Sequence, residues 1–203
     1  MNSALDQFQL NIQRTRILCG IHDVLKTKTT GALDISDILR SALVMAVSAL
    51  DQYIHEIVRL GILEIYRGER NVTVQSLKFN VSLESVRRCL INPSDATWLD
   101  DEVRERHSWQ SFEQPDRIAD AIRLISDVNL WETVASNFGT DTDYIKRRIK
   151  LIVDRRNKIV HEADIDPSFP NTRWPIDDKT VIETVTFIEQ VVLSIHKAIA
   201  KPA

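Results

Sequence analysis

The chain has 203 residues, of which 43% are hydrophobic, and it carries a net charge of −3 from 26 basic and 29 acidic side chains. This length suits one domain with its own core, so folding requires neither disulfides nor a structural metal. Because the net charge is nearly neutral, the chain as a whole is not strongly attracted to nucleic acid. Cys19 and Cys89 are far apart in the sequence, which excludes a cysteine-based metal site, and we expect both to be buried thiols.

Apolar residues that recur every three or four positions predict amphipathic helices along most of the chain. The second is the longest, with Asp34 or Ser36 as its cap, and Gly139 is expected to end a helix in the middle of the chain. The predicted helices span about residues 4–28, 34–66, 82–90, 95–107, 115–126, 130–138, 142–162 and 177–198. A weak strand pattern over residues 72–81 carries little weight.

These elements predict an all-α fold, organised as a single domain over residues 1–203. Two long helices near the N-terminus and two near the C-terminus are expected to form the bundle core. The short helices within residues 70–139 are expected to lie outside it as an insertion.

The chain lacks the sequence motifs of several functional classes. The chain has no glycine-rich phosphate-binding loop, no GxSxG motif and no HExxH motif, and its five histidines do not follow metal-ligand spacing. We therefore expect neither a metal nor a cofactor. The first residues do not resemble a signal peptide and no segment is apolar enough for a membrane span, so we expect a cytoplasmic protein that does not bind membranes.

A basic segment stands out against an otherwise acidic chain. Residues 146–158 contain seven basic side chains and one acidic one, so the segment carries +6 and the rest of the chain −9. Such a stripe on one helix can attract a polyanion, although a solvated helix face is the common alternative. The candidate RNA contacts are Lys146, Arg147, Arg148, Lys150, Arg155, Lys158 and, in the following loop, Trp174.

The same helix offers a constellation suited to phosphodiester cleavage. Asn157 and His161 are four residues apart and lie on one helix face, and the long Arg156 side chain can reach the same area. Histidine can move a proton near neutral pH, and arginine can hold a phosphate and stabilise its extra charge. Asn157 could orient the imidazole. The alternative is a structural helix end, where His161 interacts with the dipole and Arg156 forms an ion pair.

Residues 156–161 read RNKIVH, which resembles the R-x4-H signature of the HEPN superfamily. The motif ends the penultimate helix of an all-α chain, as in that superfamily. The sequences WQSF at 109–112, PDRI at 115–118 and LDQYIHEIV at 50–58 resemble the RiboL-PSP-HEPN branch. The resemblance covers roughly residues 35–200.

The resemblance implies a homodimer in which two motifs face each other across a composite cleft. It also implies a metal-independent endoribonuclease with Arg156 and His161 as the catalytic pair and Asn157 in support. The expected context is a toxin–antitoxin or antiviral system, with an antitoxin or operon partner. The tyrosine that a partner enzyme modifies in some relatives is replaced here by Ala163, so that regulation is not expected.

Other side chains are candidates for supporting or structural roles. Asp51 and Glu56 on the long second helix are candidate supporting residues, by analogy with acidic groups in HEPN enzymes. Trp109 and Phe112 could stack on bases, but we expect them to anchor the middle segment in the core. His107 and His196 are expected at the surface.

Two non-catalytic functions remain open on the sequence alone. The chain could be a HEPN-like dimerisation or RNA-binding module that serves a partner protein. It could also be a helical binder that neutralises an enzyme, as an antitoxin does. RNA cleavage that depends on His161 would distinguish the endoribonuclease from both non-catalytic functions.

Overall fold

Helices dominate the computed structural model, which describes residues 1–30, 33–169 and 171–200. The helices are α1 (Asn2–Lys28), α2 (Ser36–Tyr66), α3 (Leu83–Ile91), α4 (Thr97–His107), α5 (Pro115–Arg123), α6 (Leu130–Phe138), α7 (Thr142–His161) and α8 (Asp178–Ile199). Within these described ranges there is no β-strand, only an isolated bridge between Ile165 and Arg173. The all-α prediction is confirmed.

Helix α2 is the centre of the bundle because its apolar residues cover more than one face. Val47, Leu50, Ile54 and Ile57 are all buried along it. It packs against α1, α4, α5, α7 and α8, so each long helix and part of the middle segment is fixed relative to it. None of the helices in the described part of the chain combines the length and apolarity that a membrane crossing requires.

Local polar groups and one glycine set the ends of several helices. The Asp141 carboxylate accepts from the Tyr144 amide at 2.6 Å and starts α7, and Asp177 does the same for Thr180 at α8. Gly139 ends α6 with a φ of 64°, the left-handed conformation that glycine adopts without strain. Asp34 accepts from the Ser36 amide at the start of α2. The weak strand pattern instead contains a short 3₁₀ helix, Ser76–Lys78.

The prediction that His107 lies at the surface is wrong, and His196, which we also expected there, is only partly exposed. His107 is 5% exposed at the end of α4 and packs edge-on against Phe79 and Phe112. His196 is half-buried, with its Nδ1 3.1 Å from the hydroxyl of Tyr53. Spacing alone did not reveal these positions, because the aromatic partners come from other elements.

The cysteine and α7 predictions are confirmed in part. Cys19 is buried, whereas Cys89 is half-buried beside the Tyr66 hydroxyl. The buried side of α7 contains Ile145, Ile149, Ile152 and Val153, with Ile159 partly buried. Val160, which we placed on that side, is exposed.

Two helical glycines make a matched test of packing. A Cβ at Gly61 would lie 2.6 Å from the Cγ2 of Ile125, whereas a Cβ at Gly20 would meet no described atom within 4 Å. Gly61→Ala is therefore expected to lower the free energy of unfolding by about 1–3 kcal/mol through overpacking. Gly20→Ala is expected to raise it by about 0.5–1 kcal/mol, because alanine favours helix. Urea unfolding measures the free energy of unfolding of both variants. If the two substitutions changed it in the same direction, the tight packing of Gly61 against Ile125 would be contradicted.

Candidate active site

Helix α7 turns its apolar side inward and leaves most of its basic residues on the outer side. Arg147, Lys150 and Lys158 are exposed, as is His161 at the end of the helix. Two other members of the basic segment are partly engaged within the protein. The Arg148 guanidinium lies 4.2 Å from the centre of the Phe187 ring, and the Lys146 ammonium lies 4.0 Å from the Asp116 carboxylate.

The guanidinium of Arg156 is held by two neighbours. Its Nη2 lies 2.9 Å from the Glu113 carboxylate, and its Nη1 donates to the Asn157 side-chain oxygen at 3.0 Å. Its Nε is buried and has no acceptor among the described residues. Asn157 therefore orients Arg156 in this structure, whereas we predicted that it would orient His161. A guanidinium has five N–H donors, so these contacts leave capacity for a phosphate.

Glu113, which the sequence analysis did not single out, is the acidic partner of the motif. It is 5% exposed and lies in the 108–114 loop between α4 and α5. Burial raises the pKa of its carboxyl, the nearby Asp51 adds to that effect, and the Arg156 and His161 charges oppose it. The position of Glu113 between the family-like segments 109–112 and 115–118 could have marked it as a candidate. Its sequence position alone could not connect it to Arg156.

Asp51 fixes the loop that carries Glu113. Its Oδ1 accepts from the Phe112 amide at 2.6 Å, while the Phe112 ring is buried against His55 and His107. The expected anchoring role of Phe112 is thus confirmed. Asp51 therefore contributes to the site indirectly: it binds the backbone amide of Phe112, the residue before Glu113.

A cleft of about 430 Å³ opens beside Arg156 and Asn157. The 108–114 loop, the start of α5 and α7 form its walls. Its lining residues are Trp109, Gln110, Ser111, Glu113, Gln114, Arg117, Val153, Arg156 and Asn157. His161 follows Asn157 by one helical turn, which makes the two side chains neighbours on α7. Arg156 and Asn157 thus lie in the cleft wall, and the exposed imidazole follows Asn157 one turn further along α7.

The end of α7 is fixed by a buried carboxylate. Asp164 is 0% exposed, and its Oδ2 accepts from the Arg155 Nη2 at 2.8 Å and from the Arg40 Nε at 2.7 Å, while its Oδ1 lies 2.6 Å from the Arg155 Nη1 in an ion pair. Both arginines also donate to the Trp174 carbonyl. The chain reverses through Ala163 and Asp164, both with positive φ, and the Asp164 amide donates to the Lys158 carbonyl. His161 is therefore held at the last turn of a fixed helix.

Several predicted site residues have other contacts. Glu56 pairs with Arg59, outside the cleft lining. Arg155 is occupied by Asp164, so we assign it to the fold and no longer to RNA contact. The Lys158 ammonium lies 5.1 Å from the centre of the Trp174 ring, so these two candidate RNA contacts share one partly exposed surface.

The prediction that Trp109 anchors the middle segment in the core is wrong. Its side chain is 78% exposed at the edge of the cleft. The anchoring is done instead by Phe112 and by Trp131, whose indole N–H donates to the Pro115 carbonyl at 3.1 Å.

One group of side chains has the donor types of a metal site. Ligand atoms of His22, Asp23 and Asp178 lie within 4.8 Å of one another where α1 and α8 meet. The Lys26 ammonium lies 3.1 Å from the Asp178 carboxylate, so a cation would have to displace it. None of these residues lines the cleft at Arg156.

Comparison with known proteins identifies the family. The model of the RiboL-PSP-HEPN family matches residues 11–201, which is most of the chain and includes the whole motif helix. The chain belongs to the RiboL-PSP-HEPN family. No curated protein and no solved structure matches the chain. The match confirms the resemblance that RNKIVH and the 50–58 and 109–118 segments carry.

His107 supports the site loop and gives a pH prediction. Burial lowers its pKa from 6.5 to about 4, with a further contribution from His55. The unfolded chain therefore binds a proton at higher pH than the native state, so this contribution to stability is complete above pH 6.5 and is lost towards pH 4.

A His107→Phe variant keeps a ring in that position without a titrating group. We expect wild type to lose up to about 3 kcal/mol of unfolding free energy relative to the variant as the pH falls through this range. Urea unfolding of both proteins at several pH values measures the difference, with pH 8 as the reference. Parallel pH curves would contradict a buried, neutral His107.

Proposed function

We propose that this protein is a metal-independent endoribonuclease of the HEPN type that acts as a homodimer. The observation that carries the proposal is the Arg156 guanidinium, fixed by Glu113 and Asn157 beside an open cleft, on the same helix as the exposed His161. Arginine and histidine suit RNA phosphodiester cleavage, because one stabilises the charge on the phosphate and the other transfers protons.

The reaction uses the ribose of the substrate as its nucleophile. His161 accepts the proton of a 2′-hydroxyl, and the 2′-oxygen forms a bond to the adjacent phosphorus. Arg156 binds the phosphate and stabilises the charge that develops on its oxygens. The bond from phosphorus to the 5′-oxygen breaks, and a protonated imidazole supplies the proton that this oxygen takes. The products are a 2′,3′-cyclic phosphate and a 5′-hydroxyl.

A second copy of the chain completes the site in this proposal. One imidazole cannot accept and donate a proton at the same moment, and a homodimer supplies two copies of the motif. The family resemblance implies that these copies face one composite cleft. We further propose a cytoplasmic toxin–antitoxin or antiviral role, with an antitoxin or operon partner that restrains the activity.

The exposed cations of α7 would attract the RNA. Arg147, Lys150 and Lys158 are exposed on the same helix as the motif. Contacts of this kind give salt-dependent affinity without sequence preference.

One observation favours a non-catalytic module as the second candidate. Glu113 already neutralises Arg156 in a largely buried ion pair, which is also how a purely structural arginine is satisfied. In that case the protein binds RNA through α7 and serves another protein, and there is no cleavage to lose.

Cleavage of a labelled RNA in EDTA tests the proposal. We expect wild type to cut and His161→Ala and Arg156→Ala each to lose at least about 100-fold in rate, because each removes one chemical role. Arg123→Ala is the matched control, since Arg123 is an exposed arginine that pairs with Asp120 on the same helix. It should cut at the wild-type rate.

The fold and the oligomeric state of each variant are checked by circular dichroism and analytical ultracentrifugation. If folded wild type binds RNA without cutting it, the protein is the binding module. If wild type and His161→Ala cut equally, the activity does not come from the motif.

A further inference from the structure

The exposed indole of Trp109 lies in the cleft of the motif and has no role in the reaction described above. Tryptophan side chains are highly buried on average, and the 78% exposure of Trp109 contrasts with the buried Trp98 and Trp131. It shares the cleft lining with Arg156 and Asn157. A large aromatic face is therefore open to solvent beside the group that would hold the scissile phosphate.

The loop that presents Trp109 is fixed at three points after it. Asp51 on α2 accepts from the Phe112 amide at 2.6 Å, and Glu113 pairs with Arg156 on α7 at 2.9 Å. Trp131 on α6 donates to the Pro115 carbonyl at 3.1 Å. Beside the ring itself, the Gln110 side chain and amide donate to the last turn of α4, and Ser108 on the other side donates to the Glu105 carbonyl. The loop is thus built as part of the site wall, and its tip carries the exposed ring.

The rest of the cleft has groups that suit a nucleotide. Ser111 and Gln114 offer hydrogen-bonding groups for a base edge, and Arg117 adds an exposed cation to the partly buried Arg156. Indole rings stack on base faces regardless of sequence. A base in an A-form duplex is already stacked on both sides, so only an unpaired base can use this surface.

We propose that Trp109 forms a base-stacking subsite and that the protein takes unpaired RNA, with the base next to the scissile phosphate stacked on the indole. This inference rests on the proposed function and specifies its substrate class: single-stranded segments and loops bind in the cleft, whereas a continuous duplex contacts only the cations of α7. Trp109 is a specificity-determining residue and takes no part in proton transfer.

Binding to His161→Ala protein, used as the non-cleaving parent, tests the subsite. The probes are a fluorescein-labelled unstructured RNA of roughly 12 nucleotides and the same strand in a full duplex. We expect Trp109→Ala to weaken single-strand binding about 5- to 150-fold by fluorescence anisotropy. Trp109→Phe should recover most of the affinity, and duplex binding should be unchanged.

Phe169→Ala is the matched control, because Phe169 is another exposed aromatic residue that lies outside the cleft lining. It should bind both RNAs like the parent. Equal loss on single-stranded and duplex RNA, or no loss on either, would overturn the subsite. A change of oligomeric state in Trp109→Ala, seen by ultracentrifugation, would also overturn it and assign the indole to contact between copies.

The two proposals fail in different ways. If wild type cleaves through His161 and Trp109→Ala binds single strands like the parent, only the subsite is wrong. If the parent binds neither RNA, both the subsite and the ribonuclease proposal are contradicted.

Discussion

The carboxylate of Asp164 lies between two arginines that come from different parts of the chain. Arg40 belongs to the first turns of α2, the helix on which the bundle is built, and Arg155 precedes the motif on α7. A buried carboxylate without partners is strongly unfavourable, so these charges fix the geometry of the elements that carry them. The same arginines donate to the Trp174 carbonyl and thereby hold the loop that follows.

This arrangement determines where His161 stands. Helix α7 ends at His161, and the chain turns through Ala163 and Asp164. The Asp164 carboxylate then pairs with Arg155, six residues before the end of α7. The imidazole is left at a fixed, solvent-exposed helix end. Arg155 and Arg156 are adjacent in sequence but pair with different carboxylates. Arg155 pairs with Asp164, whereas Arg156 pairs with Glu113 beside the cleft.

Much of the fold follows from the sequence, because helices leave a periodic record. The apolar stripe of α2, Asp34 at the start of that helix and the left-handed Gly139 are local features that spacing and residue type reveal. RNKIVH was likewise recognisable, since its residues lie within two helical turns. Val160 fits the apolar pattern of α7 but is exposed, because the apolar pattern does not show which end of a helix other elements leave uncovered.

The missed features depend on contacts between distant segments. Glu113 is 43 positions from Arg156, and Asp164 is 124 positions from Arg40, so neither pair has a spacing signal. Aromatic residues are ambiguous by composition alone: Phe112 lies in the core and Trp109, three residues earlier, lies in solvent. Only the backbone path, fixed by the Asp51 bond to the Phe112 amide, decides which ring faces inward.

The central claim is that the motif activates a ribose 2′-hydroxyl, and a single-atom change in the substrate tests it most directly. An RNA that wild type cuts in EDTA is mapped and then made again with one 2′-deoxynucleotide at the scissile position. The account predicts that this substitution stops cleavage there, while the unmodified RNA gives a 2′,3′-cyclic phosphate and a 5′-hydroxyl. Equal cleavage of the two RNAs would contradict it.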